Sequence, residues 1–105
     1  MNEITVLELK SKMDKGGDFQ LIDVREAHER EFANIGGDHI LMGEIAQNID
    51  KISKTKEVVI YCRSGIRSAR VANFLEKNHG FNNLYNLTGG ILAWSDQIDN
   101  SIQKY

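Results

Sequence analysis

The chain has 105 residues, 41% of them hydrophobic and 27% charged, with a formal net charge of −2 at pH 7. That length suits one domain, residues 1–105, around a single core, and the charge balance excludes a broadly basic nucleic-acid-binding surface. No apolar run approaches the ~20 residues of a membrane span, and Met1-Asn2-Glu3-Ile4 is acidic where a secretory leader would be basic. A cytoplasmic location, with neither membrane nor nucleic acid as partner, is the default expectation. One cysteine permits no internal disulfide and no multi-cysteine metal site, and His28, His39 and His79 lack ligand spacing. Neither a metal nor another cofactor is expected.

Thr5 stands three residues before Glu8, the spacing of a capping box, and predicts a helix over Val6–Lys15 that Gly16-Gly17 stops. Phe19–Val24 reads as a mostly apolar strand, and Ala27–Phe32 as a short helix with Glu26, Glu29 and Glu31 on a solvated face. Beyond the Gly36-Gly37 turn, His39–Leu41 reads as a short strand. Gly43–Ile52 then reads as a helix carrying Ile45, Ile49 and Ile52.

Glu57–Tyr61 is a β-branched run without polar alternation, the pattern of a central strand buried on both faces. A short loop starting at Cys62 leads into a helix over Arg67–Asn78, with Val71, Phe74 and Leu75 on its apolar stripe and Gly80 as its stop. Asn83–Leu87 reads as another strand, and Gly89-Gly90 opens a last helical stretch in which Trp94 belongs to the core. Strands alternating with helices imply an α/β fold with a mostly parallel sheet. Ligand sites in such sheets lie beyond the carboxyl ends of the strands, where Cys62 stands.

The chemistry concentrates in that loop, Cys62-Arg63-Ser64-Gly65-Ile66-Arg67. Free amide groups at a helix start form an anion site, and a loop curled around its first residue adds further inward-pointing N–H groups. Between Val58 and Leu75 lie Arg63, Arg67 and Arg70 and no acidic residue, while the rest of the chain holds 10 basic and 15 acidic residues. Both features favour a thiolate at Cys62, the form that attacks sulfur, phosphorus or carbon. The plainer alternatives are a small core cysteine ending a strand and a chance cluster of solvated arginines. Ser64 and Ser68 are placed to cap the helix start. Asp23 and Arg25, at the end of their strand on the same sheet edge, can pair with each other or with the loop, as structural support.

Cys62-Arg63-Ser64-Gly65-Ile66-Arg67-Ser68-Ala69 resembles the active-site loop of the single-domain rhodanese family. Leu21-Ile22-Asp23-Val24-Arg25-Glu26 resembles that family's opening motif, and Leu87-Thr88-Gly89-Gly90-Ile91-Leu92-Ala93-Trp94 its closing one. The three stand in the family's order and span nearly the whole chain. The resemblance implies a rhodanese-like α/β fold, a central five-stranded sheet flanked by helices. It implies a sulfurtransferase that moves sulfane sulfur from a small anionic donor such as thiosulfate to a thiol, a protein thiol or cyanide, through a Cys62 persulfide. Arg63, Ser64, Gly65, Ile66 and Arg67 would meet the donor, with Asp23, Arg25 and Ser68 in support. Arg67 can equally hold the loop backbone or an acidic neighbour.

Related dual-specificity phosphatases of the cell-cycle type separate Cys and Arg by five residues; here four separate Cys62 from Arg67, the shorter cradle of the sulfur carriers. A non-catalytic interaction module and a thiol redox sensor are the rival readings. The sequence departs from the family's frequent His-Ile-Pro-Gly-Ala turn, reading Asn34-Ile35-Gly36-Gly37-Asp38 instead. The resemblance therefore leaves the register of the following strand open.

Overall fold

The computed structural model describes residues 1–105. In chain order the elements are β1 (Asn2–Ile4), α1 (Val6–Asp14), β2 (Phe19–Asp23), α2 (Ala27–Phe32), β3 (Asp38–His39), a 3-10 helix (Met42–Lys51), β4 (Glu57–Tyr61), α3 (Ile66–His79), β5 (Leu84–Leu87) and α4 (Gly90–Gln97). The strands form one sheet in the order β1-β5-β4-β2-β3, and every neighbouring pair is parallel.

The centre of the sheet follows from β4. Val58, Val59, Ile60 and Tyr61 are all fully buried, because each face of this strand meets an apolar layer. Val58 and Ile60 pack with Ile22 and Val24 of β2 and its continuation, with Ile45 of the 3-10 helix and with Val71 and Leu75 of α3. Val59 and Tyr61 face the other way, onto Leu9 of α1 and Ile91 and Trp94 of α4. This period-two division is the pleat acting on an unbroken apolar run.

Local signals in the sequence explain most element ends. Thr5 and Glu8 close the capping box of α1 with bonds of 2.9 and 3.1 Å. Gly80 ends α3 in the left-handed conformation at φ +68°, its amide donating to the Leu75 carbonyl. Three expectations are corrected. β1 was not anticipated, since two of its three residues are polar and it holds its place by pairing with β5 and burying Ile4. β3 is Asp38–His39 rather than His39–Leu41. Gly36 and Gly37 both take positive φ (+89° and +85°), and a Cβ on Gly37 would lie 2.6 Å from the Leu21 carbonyl oxygen, so the glycine pair brings the chain onto β2 early. The segment expected to be helical over Gly43–Ile52 is a 3-10 helix over Met42–Lys51, broken at Asn48 (φ −123°), whose side-chain amide donates to the Glu44 carbonyl at 2.7 Å. No helix is long and apolar enough to cross a membrane.

Candidate active site

Cys62 follows β4 directly, at the carboxyl end of the sheet's central strand, and is 1% exposed. The loop after it bends sharply because Gly65 takes φ +101° and serves as N-cap of α3. That bend turns the Gly65 amide to within 3.1 Å of the Cys62 sulfur, and the Ser68 amide, from the first turn of α3, lies at 3.4 Å. The Ser68 hydroxyl is also 3.4 Å away. Burial pushes the Cys62 thiol up, and the Ser68 hydroxyl, with the Ser68, Gly65 and Ser64 amides, outweighs it, so the thiol sits below its ordinary value.

The outer side of the loop is clamped by α4. The Ile91 and Leu92 amides donate to the Cys62 and Arg63 carbonyls at 3.0 and 3.1 Å. Gly90 makes this approach possible: at φ +58°, a Cβ there would stand 2.5 Å from both carbonyl oxygens. With its carbonyls drawn outward to α4, the loop keeps its amides for the sulfur. The Gly89-Gly90 pair was legible as part of the closing motif; its contact with the Cys62 loop was not.

The expected residues divide into three groups. Arg67 is engaged by a bidentate pair with Glu29, two bonds of 2.7 Å each. Glu29 is 7% exposed, which corrects its reading as solvated face; Glu26 and Glu31 are exposed. The Arg67 hydrogen bonds hold the Glu29 carboxyl down to about 2 against burial, helped by the Tyr105 hydroxyl at 2.8 Å and the Glu26 amide. Arg67 is raised above its ordinary value by the same pairing. Arg63 sends its guanidinium to the main-chain oxygen of Tyr105, with Nε at 2.5 Å, and lies over the Tyr105 ring. Neither Glu29 nor Tyr105 was singled out from the sequence, since each meets its partner at least 38 residues away.

Asp23 and Arg25 pair with each other by two 2.9 Å bonds, both fully buried. The Arg25 guanidinium also reaches the Ala33 carbonyl at 2.7 Å and the Tyr105 hydroxyl at 2.8 Å. Burial alone would lower Arg25, but the Asp23 and Tyr105 bonds raise it above its ordinary value. The Tyr61 hydroxyl donates to Asp23 at 3.1 Å, so Asp23, Arg25 and Tyr61 form one buried brace. His39 places Nε2 2.6 Å from the Arg25 carbonyl oxygen, in the same brace.

Two serines were expected to cap α3. The N-cap is Gly65 instead, with no side-chain cap bond; Ser64 is exposed, and Ser68 is fully buried beneath Cys62. The Ile66 side chain is 61% exposed. Arg70 lines a separate groove with Met42, Ala46, Val71 and Phe74. A larger cavity, about 570 Å³ between Gln20, Asp38, Asp50 and Lys56, lies toward the amino end of β2, away from Cys62.

The model of the rhodanese-like domain matches residues 5–97. The chain belongs to the rhodanese-like domain family. It is 38% identical over 98 residues to a putative sulfurtransferase, YtwF, of Bacillus subtilis, an alignment that covers 92% of this chain and 93% of that protein. It is 40% identical over 113 aligned positions to the chloroplastic rhodanese-like/PpiC domain-containing protein 12 of Arabidopsis thaliana, covering 100% of this chain but spanning only 38% of that longer protein. Among solved structures it is similar to a rhodanese-like domain protein from Staphylococcus aureus, with a TM-score of 0.83, 30% identity, and coverage of 100% of this chain and 99% of that one. The five-stranded parallel sheet with flanking helices is the fold of these neighbours.

Proposed function

We propose that residues 1–105 act as a single-domain sulfurtransferase that carries sulfane sulfur on Cys62 by a ping-pong route. The observation that carries this reading is the ring of loop and helix amides around the Cys62 sulfur, with only four residues between it and Arg67. In the first step the Cys62 thiolate attacks the outer sulfur of thiosulfate. A sulfur–sulfur bond forms to Cys62, the donor's own sulfur–sulfur bond breaks, and sulfite leaves with the electron pair. In the second step an acceptor thiolate, or cyanide in an assay, attacks the outer sulfur of the persulfide and Cys62 departs as thiolate.

Charge is conserved in both steps and neither calls for a metal or cofactor. The amides stabilise the anionic sulfur throughout. Arg63 supplies the cation at the rim once its bonds to Tyr105 give way to the donor, while Arg67, tied to Glu29, shapes the loop. A reaction between thiols and persulfides suits a reducing compartment such as the cytoplasm. The relative named as a putative sulfurtransferase along nearly its whole length supports the same reading.

Thiocyanate production from thiosulfate and cyanide tests it. The expected result is turnover with parallel double-reciprocal lines, abolished in Cys62→Ser. Turnover that survives in Cys62→Ser sinks the covalent route.

A further inference from the structure

Beneath the Cys62 sulfur lies a hydrogen-bond chain that the steps above leave unused. Ser68 Oγ is 3.4 Å from the Cys62 sulfur and 2.5 Å from Asn86 Oδ1. Ser68 is fully buried, and Asn86, on β5, is 4% exposed. The orientation of the Asn86 amide is set by its other contacts. Its Nδ2 faces the Gly65 carbonyl at 3.1 Å and both Glu3 carboxylate oxygens at 3.3 Å. Turning the amide over would set its oxygen against those three oxygens. The Glu3 carboxylate is itself held by the Thr88 hydroxyl at 2.7 Å. Asn86 Oδ1 therefore faces Ser68, and it can only accept.

A serine hydroxyl has one proton to give. While Cys62 is a thiol, the chain is complete: the thiol donates to Ser68 Oγ, and Ser68 donates to Asn86 Oδ1. A thiolate brings no proton, so Ser68 would present a lone pair to an anion. The hydroxyl then serves the sulfur only by turning its proton away from Asn86. We propose that Asn86 is a positioning residue that competes with the Cys62 sulfur for the Ser68 proton, so that the direction of one buried hydroxyl follows the charge on that sulfur.

A consequence arises for sulfur transfer, and this part rests on the function proposed above. When Cys62 is loaded, the negative charge moves to the outer sulfur. The inner sulfur no longer needs the proton, and Ser68 returns it to Asn86. The Ser68–Asn86 bond is thus lost in the empty thiolate and regained in the persulfide, which favours loading. Asn86 has a second tie to the loop through the Gly65 carbonyl, and the test must separate the two roles.

The discriminating measurement is the pH dependence of Cys62 alkylation by iodoacetamide, followed by intact mass. Asn86→Leu releases the Ser68 proton to the sulfur, and the midpoint should fall by about half to one pH unit, the worth of one buried hydrogen bond. Ser68→Ala should raise the midpoint, and adding Asn86→Leu to Ser68→Ala should then change nothing. If Asn86→Leu leaves the midpoint in place or raises it, or if its shift persists without Ser68, the competition is refuted. A rise that persists would assign Asn86 to anchoring Gly65 alone. Should Asn86→Leu not fold by circular dichroism, Asn86→Val, smaller and a better strand former, carries the same expectations. No sulfur donor enters this assay, so its outcome is independent of whether the protein transfers sulfur.

Discussion

Two 2.7 Å bonds join Arg67 to Glu29, and a guanidinium engaged in this way fixes the far end of the Cys62 loop to α2. The pairing has a pH signature. Glu29 is held at about 2 in the fold, against about 4.3 for an unfolded glutamate. A carboxyl lowered on folding contributes stability above its unfolded value and loses it as pH falls through the folded one. Glu29→Gln should therefore cost on the order of 1–2 kcal/mol at pH 7, allowing for solvent screening of the partly exposed Arg67. The difference should close between about pH 4.3 and pH 2, read as urea midpoints across that range; a gap that stays constant with pH would deny the ion pair its role. The loop from Cys62 to Arg67 was legible because its residues are consecutive. Glu29 was not, because a carboxylate on a short helix looks the same from the sequence whether it meets water or an arginine 38 residues on.

The elements that position the loop are β4, α3 and the start of α4. The last is held by Gly90, whose missing side chain lets α4 donate to the carbonyls of Cys62 and Arg63. Gly90→Ala should push α4 from the loop, destabilise the fold by about 1–3 kcal/mol and slow sulfur loading by tenfold or more. Gly36→Ala is the matched comparison: its φ is also positive at +89°, but nothing lies within 4 Å of the added carbon, so backbone strain is its only cost and loading should be kept. Equal loading by the two variants would show that the clamp is not what shapes the site. The run Val58–Tyr61 made β4 readable, since a strand buried on both faces needs no periodicity to be recognised. β1 carries no such run, and the 3-10 winding of Met42–Lys51 depends on packing and on Asn48, which a helical spacing of isoleucines does not reveal.

Across the whole molecule the sheet separates two tasks. Cys62 belongs to the apolar layer shared with the 3-10 helix and α3, while Tyr61, one residue earlier, faces the layer of α1 and α4 and joins the Asp23–Arg25 brace. Alternation at the end of one strand thus puts Cys62 on one side of the sheet and the Asp23–Arg25 brace on the other. The α/β alternation and the place of Cys62 at the carboxyl end of the central strand could be read in advance because they depend on local periodicity and on the general geometry of parallel sheets. The long-range side-chain pairs could not, because Glu29–Arg67, Ser68–Asn86 and Arg63–Tyr105 arise only when distant segments meet. The proposed sulfur transfer requires Cys62 to accept a sulfur atom and hold it among the loop amides. Incubation with thiosulfate followed by intact mass spectrometry measures that loading. The expected result is a gain of one sulfur atom on the wild-type chain, reversed by an acceptor thiol and absent in Cys62→Ser; a wild-type chain that gains no sulfur from thiosulfate or any other sulfane donor would overturn the proposal.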